Sequence, residues 1–399
     1  MELFVFDIFT LLLIKIDMDK YEKQITPLTI IALVYTILIN LNNLIISNIY
    51  GFFKVENYVL GMMAVFFILI FMIDITFGYL YRHTKRIEAN FSVRFKSYKG
   101  VTFLFLIGVM AYSIQFVRLY ASNGLNIKGG NNGILGHLSS FAYILGPVSL
   151  DLALKTKKKF NVFFSATLNV LVFLISVLFG GKYVIFINLT YFLLYFILKR
   201  DNRVSIGKIV KLALPLAMVA IGVFIVLYYI IPRITGRYQS TIYFAMQHMF
   251  EYLLGPVIAN NYTIAHAGQG DFLIPFAVFI NIGKAFMRAG NYVNPIYHFL
   301  FPIFGINKTN VSGIFGESIY DLGYVGAILY ILILFIVINV FFYLYRARNK
   351  YYLSFCYSTS MIAFLFFGNY ISVSGVLLPL ILAFMLDAFS LCRVGDYHI

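Results

Sequence analysis

Residues 322–344 read LGYVGAILYILILFIVINVFFYL and contain no charged side chain. A helix of about 20 residues crosses the roughly 30 Å hydrocarbon core of a bilayer, so this run predicts a membrane span. Comparable runs recur along a chain that is 61% hydrophobic and only 12% charged. Because about a quarter of the residues in an ordinary soluble domain are charged, the sequence predicts an integral membrane protein.

The apolar runs are continuous and lack the alternation of an outer-membrane barrel, which favours membrane-spanning helices. Ten spans are predicted, at residues 25–47, 57–80, 100–120, 134–153, 160–178, 183–198, 212–230, 322–344, 352–368 and 375–391. Residues 1–14 are shorter and carry charges, so they predict either an eleventh span, which we favour, or a helix in the interface. They lack the basic region and cleavage site of a signal peptide. The expected fold class is an all-α polytopic integral membrane protein of 10–11 helices, with residues 1–399 forming a single membrane domain.

The distribution of positive charge predicts the orientation of the chain. Alternate loops and the termini hold 22 of the 31 Lys and Arg residues. The opposite face holds the remaining nine, namely Lys54, Arg118, Lys128, Lys182, Arg233, Arg237, Lys284, Arg288 and Lys308. The positive-inside rule makes the first face cytoplasmic, so residues 231–321 are predicted to form one large extracytoplasmic loop. The net charge of +15 therefore reflects membrane topology, and no nucleic-acid partner is expected.

Residues 231–321 interrupt the series of spans, and long loops of this kind often carry the function. Within them, residues 240–254 have helical periodicity and are followed by a Gly-Pro breaker, which predicts an amphipathic helix against the membrane. Residues 271–286 are apolar but interrupted by Pro and Gly, so they are predicted to dip into the interface. The loop thus predicts a membrane-surface site for an amphipathic, anionic substrate.

Several functional classes find no support in the sequence. The loop histidines form no i, i+4 pair with an acidic companion, so no metal site is predicted, and no nucleotide-binding spacing occurs. The two cysteines, Cys356 and Cys392, imply neither a disulfide framework nor a thiolate site. We find no pair of broken helices and no mid-membrane relay of acidic residues, which counts against an ion-coupled transporter.

Positive residues on the outer face are the predicted anion-binding groups. An arginine beside an apolar helix either anchors it at the head groups or binds a phosphate, and several on one face favour anion binding by some of them. Lys182 lies in the turn FGGKY, whose glycines permit close approach to a phosphate; a hairpin turn with a solvated lysine is the alternative. The candidate phosphate-binding residues are Arg118, Lys182, Arg233, Arg237 and Arg288.

Three residues are candidates for a general base. Glu317 and Asp321 are one turn apart on the same face if their segment is helical, and a carboxylate there could accept a hydroxyl proton. Asp321 also has a simpler interpretation as an acidic group at a helix N-terminus, so we favour Glu317. His298, which lies between two helix breakers, is the third candidate.

Three segments resemble the Wzy-type O-antigen and capsular repeat-unit polymerases, a family related to the O-antigen ligases. Residues 178–182 (LFGGK) are similar to a short turn in which the family has a small residue followed by Arg. Residues 251–256 (EYLLGP) are similar to its Tyr- and Gly-rich loop stretch, and residues 310–326 to its Asn followed by Asp-x-Gly-x-x-Gly. The resemblance adds as candidate substrate-binding residues Tyr252, Asn310 and Tyr320.

The resemblance implies a metal-independent membrane glycosyltransferase of the C type, without a cofactor. It would move a growing glycan from undecaprenyl diphosphate onto another lipid-linked repeat unit, in the bacterial cytoplasmic (inner) membrane with the large loop periplasmic. The implied partners are the undecaprenyl-diphosphate-linked oligosaccharide, membrane lipids and a chain-length regulator protein.

Two departures from the family pattern matter. Lys182 stands where Arg is usual, while Asn310 and Ser312 occupy the region where ligases carry a His, which favours a polymerase. The alternatives are an O-antigen ligase that uses a lipid A core acceptor, and a polysaccharide flippase or transporter.

Overall fold

The computed structural model describes residues 2–22, 24–84, 98–123, 133–179, 182–200, 207, 218–219, 221–222, 224–230, 233, 241–287, 292–294, 301–305, 307–348 and 351–392. Of the residues that the structure describes, 85% are helical. Among the described residues, six helices are long and apolar enough to cross a membrane: Pro27–Tyr50, Asn57–His83, Tyr98–Ser122, Leu135–Thr156, Lys159–Leu178 and Ile314–Ala347. Shorter apolar helices are Val184–Lys199, Ile274–Lys284 and Ser374–Phe389. The prediction of a helical protein with several membrane-length helices is thus confirmed.

Some predicted spans differ from the helices observed. The predicted span 352–368 contains only the helix Tyr352–Ala363, since the chain turns after it and Gly368 adopts a φ of 155°. The N-terminal run forms the helix Glu2–Lys20, which carries several charged residues and is not among these six membrane-length helices. Of the predicted span 212–230, the structure describes residues 218–219, 221–222 and 224–230 and no others.

The chain forms two compact units, which we describe separately. The first comprises Met1–Lys85, Val204–Tyr343 and Ile362–Val373. The second comprises Arg86–Arg203, Leu344–Met361 and Ser374–Ile399. Glu317 and Asp321 belong to the first unit.

The N-terminal part of the first unit is helical, and two of its helices contact the start of a long helix. Its helices are Glu2–Lys20, Pro27–Asn40, which continues through the π-helical turn Leu41–Ile46 and Ser47–Tyr50, and Asn57–His83. Phe315, in the first turn of the helix Ile314–Arg348, stacks on Phe66 with ring centroids 4.7 Å apart. Tyr35 lies on Phe315 at 5.1 Å, so aromatic packing fixes this helix end.

Asp74 is a buried carboxylate with a structural explanation. Its Oδ2 accepts a hydrogen bond from the Leu28 backbone N–H at 2.9 Å, and its Oδ1 accepts one from Asn339 Nδ2 at 2.6 Å. The Tyr21 hydroxyl donates to the Asp74 carbonyl at 2.6 Å. Because a buried charge must be satisfied by hydrogen bonds, Asp74 ties together the elements that carry these partners.

The long predicted loop is itself folded. It contains the helices Ile242–Ile258, Asn260–Ala265 and Ala277–Met287, and a 3-10 turn Ile274–Phe276. Thr241 caps the first of these by accepting the Phe244 N–H at 3.1 Å through its hydroxyl. The helix predicted over residues 240–254 is therefore present, but it continues past the expected Gly-Pro breaker to Ile258. Pro256 removes a single N–H there, and Gly255 packs against Thr309 and Ile303.

A small sheet in this segment was not predicted. The strands Phe301–Phe304 and Asn307–Thr309 are antiparallel, with Phe301 opposite Thr309. The Phe53 N–H donates to the Ile303 carbonyl at 3.0 Å, which joins the hairpin to the N-terminal part of the same unit. The segment before the hairpin exposes the apolar side chains Phe272, Leu273, Phe279, Ile282 and Met287. Its location in the membrane interface stays a prediction.

The second unit is built from helices alone among its described residues. They are Tyr98–Asn123, Gly133–Thr156, Lys159–Leu178, Lys182–Arg200, Tyr352–Ala363 and Ser374–Cys392. Gly108 packs so closely on the backbone at Ala142 that a Cβ would collide with it, as is typical of membrane helix pairs. Asp387 accepts hydrogen bonds from the Ser354 N–H and hydroxyl at 2.9 and 2.7 Å, and Asp151 pairs with Lys199.

Candidate functional site

The candidate site lies at the N-terminal end of the helix Ile314–Arg348. The Gly313 N–H donates to the Pro256 carbonyl at 3.0 Å, and the Ile314 N–H donates to the Leu365 carbonyl at 2.9 Å. The first N–H groups of a helix have no partner within it and must find one elsewhere. Two distant parts of the chain supply these partners here, so the folded loop is bonded directly to the start of a membrane-length helix.

Glu317 is 6% exposed and both of its carboxylate oxygens accept backbone hydrogen bonds. Oε1 accepts the Ser312 N–H at 2.9 Å, and Oε2 accepts the Asn369 N–H at 2.6 Å. Gly368 allows this close approach, since a Cβ there would lie 3.0 and 3.3 Å from the two oxygens. Glu317 thus reaches back over the first helical turn in the manner of a capping box. This geometry gives it a capping role of the kind that the sequence suggested for Asp321.

A closed polar cluster supports this helix end. Ser312 donates through its hydroxyl to Asn260 Oδ1 at 3.1 Å and shares a hydrogen bond with the Thr263 hydroxyl at 3.1 Å. Asn260 Nδ2 donates to the carbonyls of Pro256 and Val257. All three side chains are fully buried, so the hydrogen bonds between them rigidify the helix start.

Asp321 lies one turn beyond Glu317, on the same face and 5% exposed. A glycine-rich loop packs onto the backbone beside it: the N–H of Gly268 donates to the Ile319 carbonyl at 3.0 Å, and that of Gly270 to the Tyr320 carbonyl at 2.8 Å. A Cβ at Gly270 would collide with Asp321 Oδ1. The absence of a side chain at Gly270 is therefore what makes room for this carboxylate.

The helix is broken just after Asp321. Gly323 has φ 68° and ψ 178°, which are not helical values, and the helix resumes beyond it. A left-handed φ strongly favours glycine at this position. Breaks within membrane helices free backbone groups, and such breaks occur where they line a cavity or a binding site. Of the two acidic candidates, Asp321 is thus the one beside this break in the helix.

Three candidate substrate-binding residues occupy different environments. Tyr320 is buried, with its ring 5.7 Å from that of Phe301, and contributes to an aromatic core. Tyr252 is half-buried between Phe224 and Phe367. Asn310 is exposed directly after the second strand. Of the three, Asn310 is the exposed one.

The structure describes the side chains of only some of the predicted phosphate-binding residues. Arg233 is exposed in the first unit, with its guanidinium carbon 4.3 Å from the centroid of the Tyr229 ring. Arg118 is exposed on the helix Tyr98–Asn123 of the second unit. Lys182 is the first residue of the helix Lys182–Arg200, and its side chain is outside the description. Three further candidates lie outside the described residues: Arg237, Arg288 and His298.

A histidine–carboxylate pair emerges that sequence reasoning did not single out. His248 Nδ1 lies 2.7 Å from Glu251 Oε2, on one face of the helix Ile242–Ile258. Glu251 Oε1 accepts from Asn307 Nδ2 at 2.9 Å and Gln247 Nε2 at 3.2 Å. Burial alone would raise the pKa of Glu251, but hydrogen bonds and the charge of His248 lower it below its ordinary value. The i, i+3 spacing within a predicted helix was the available signal.

No metal centre is indicated in the part of the chain described, where no three His, Cys, Asp or Glu side chains cluster suitably. The first unit thus presents two acidic positions at a broken helix, a histidine–glutamate pair on the helix Ile242–Ile258 and an exposed arginine stacked on a tyrosine. These groups can transfer protons and bind anions. Comparison with protein-family models, curated proteins and solved structures finds no match for this chain.

Proposed function

We propose that this chain polymerises lipid-linked oligosaccharide repeat units at the outer face of the cytoplasmic membrane. In the proposed reaction, the growing glycan leaves undecaprenyl diphosphate and is transferred to a hydroxyl of an incoming lipid-linked repeat unit. The bond from the anomeric carbon to the diphosphate breaks as the glycosidic bond forms. Diphosphate is a good leaving group, so the transfer needs no nucleotide.

The observation that carries the proposal is the junction between the folded loop and the helix Ile314–Arg348. The substrate of such a polymerase has a lipid that stays in the membrane and a glycan that stays in water. Its reacting diphosphate must therefore lie at the boundary between the two. A polar site built where a folded, non-spanning segment bonds to the end of a membrane-length helix suits that position, and Asp321 lies there beside a break in the helix.

The charge distribution supports a site for an anion on the loop side. A departing diphosphate gains negative charge, which fixed positive groups stabilise. Arg233 supplies such a charge, and stacking on Tyr229 restricts the positions of its guanidinium. Arg237 and Arg288 belong to the same sequence segment and remain proposed contacts, as do Arg118 and Lys182. The loop that carries these arginines is proposed to be extracytoplasmic on the basis of the positive-inside rule.

Turnover by purified protein tests the proposal. The protein in nanodiscs, given undecaprenyl-diphosphate-linked repeat units, should produce a ladder of longer lipid-linked glycans. Asp321→Asn should reduce the ladder. Asp271→Asn is the matched control, because the exposed Asp271 accepts the Leu273 N–H at 2.9 Å, which an amide oxygen can also do. A wild-type protein that leaves the repeat units unextended contradicts the proposal.

A deletion in a Gram-negative host separates the alternatives. Loss of a polymerase should leave lipid A core capped with a single repeat unit, because making and ligating one unit does not require polymerisation. Loss of the single-unit band as well would point to a ligase or a flippase.

A further inference from the structure

His248 and Glu251 form a pair whose geometry orients the imidazole ring. The distance from His248 Nδ1 to Glu251 Oε2 is 2.7 Å, that of a strong hydrogen bond. The partner of one ring nitrogen determines the tautomer of a neutral histidine. With Nδ1 donating its proton to Glu251, the lone pair is on Nε2, which is then a base.

The carboxylate that orients His248 is itself held in place. Glu251 accepts from Asn307, on the second strand, and from Gln247, one turn earlier in its own helix. Asn307 is 56 residues away in sequence, so this contact exists only in the folded protein. A base whose partner is fixed by further hydrogen bonds is the arrangement that activates hydroxyl groups in many enzymes.

The ring of His248 is positioned by aromatic neighbours and is still accessible. Its centroid lies 4.5 Å from that of Tyr228 and 5.4 Å from that of Phe244. The His248 side chain is 36% exposed, whereas that of Glu251 is 15% exposed. His248 is therefore accessible to a substrate, while the less exposed Glu251 orients its ring.

Arg233, a candidate anion-binding residue, is linked to His248 through two consecutive tyrosines. Tyr228, which contacts His248, is followed by Tyr229, which carries the guanidinium of Arg233 on its ring. A short π-helical turn, Val226–Ile230, presents both tyrosines. π-Helical turns are rare and occur frequently at functional sites. The two tyrosines of this turn thus contact the proton acceptor His248 and the cation Arg233.

We propose that His248 is the general base of the transfer and that Glu251 is its positioning residue, an assignment that rests on the proposed function. The acceptor hydroxyl gives its proton to His248 Nε2 while its oxygen bonds to the anomeric carbon. The bond from that carbon to the diphosphate oxygen breaks, and undecaprenyl diphosphate leaves with the electron pair. The imidazolium then returns the proton to water. Glu317 is less suited to this step, because backbone N–H groups occupy both of its oxygens.

The test compares His248→Gln with His266→Gln in nanodiscs. His266 is the matched control because its Nδ1 bonds only locally, to the Tyr262 carbonyl at 2.8 Å, and its ring stacks on Tyr262. Loss of a general base should lower kcat about a hundred- to ten-thousand-fold, with donor binding unchanged. His266→Gln should keep wild-type turnover. Wild-type kcat in folded His248→Gln overturns the assignment.

A second variant covers the case in which His248→Gln does not fold. Glu251→Gln removes the carboxylate that orients the imidazole ring, so this variant should lower kcat with little effect on KM. Wild-type kcat in folded Glu251→Gln also overturns the assignment.

The wild-type protein separates this inference from the proposed function. If it extends no lipid-linked repeat unit, the proposed function fails and the assignment of His248 fails with it. If it extends them and both variants behave as wild type, the assignment alone fails.

Discussion

Replacement of Glu317 by Gln should weaken the start of the long helix. The carboxylate accepts one backbone N–H at each oxygen, from Ser312 at 2.9 Å and from Asn369 at 2.6 Å. An amide has a single acceptor oxygen, so in Glu317→Gln one of the two N–H groups would face an NH₂ donor. The site is buried, and water cannot replace the lost partner.

The magnitude follows from these two bonds. A buried N–H left without a partner costs about 1–3 kcal/mol, so we expect Glu317→Gln to lower the free energy of opening this helix end by about 1–3 kcal/mol. Since 1.4 kcal/mol is tenfold in an equilibrium constant, local opening of this helix end should rise roughly 5- to 150-fold.

Hydrogen–deuterium exchange in nanodiscs measures this opening. Peptides that contain the amides of Ser312 and Asn369 should exchange faster in Glu317→Gln, and the apparent Tm should fall. Glu56→Gln is the matched control, because it makes the same substitution in an exposed side chain and should leave exchange at both amides unchanged. Unaltered exchange and Tm in Glu317→Gln, together with lost transfer, would refute the capping role and make Glu317 a chemical participant.

Three further outcomes are expected. Gly270→Ala should destabilise the protein by about 1–3 kcal/mol through overpacking against Asp321, whereas Gly283→Ala, a helical site with open space around it, should be neutral or stabilising by thermal unfolding. Arg233→Ala should weaken equilibrium binding of the lipid-linked diphosphate roughly tenfold or more, since a charge-assisted hydrogen bond contributes about 1.5–3 kcal/mol. Arg233→Lys should restore only part of this binding, and unchanged binding in Arg233→Ala would make this arginine a simple anchor. Because the chain has no Trp, Phe279→Trp provides a single fluorophore that brominated lipids should quench if this helix lies in the interface, while Trp at the exposed position Lys308 should stay unquenched.

The helical, membrane-spanning character follows from the sequence because it depends on local properties. Each residue in the run 322–344 contributes its own transfer free energy, so the sum predicts a span without knowledge of any neighbour. The helix within residues 240–254 was predictable for a similar reason, since its periodicity lies within one segment and Thr241 caps it locally. Its continuation through Pro256 was not, because a distant hairpin packs against Gly255.

The tertiary structure alone decided which polar groups act together. Glu317 and Asn369 are 52 residues apart, and Glu251 and Asn307 are 56 apart. The apolar pattern of a sequence says little about which polar groups pair across such separations. A hydrogen bond is directional, so it depends on where the two parts of the backbone lie in the folded protein. The sequence thus determined a helical membrane protein with acidic and basic groups in one long segment. Folding determined that both oxygens of Glu317 accept backbone N–H groups and that Glu251 orients His248.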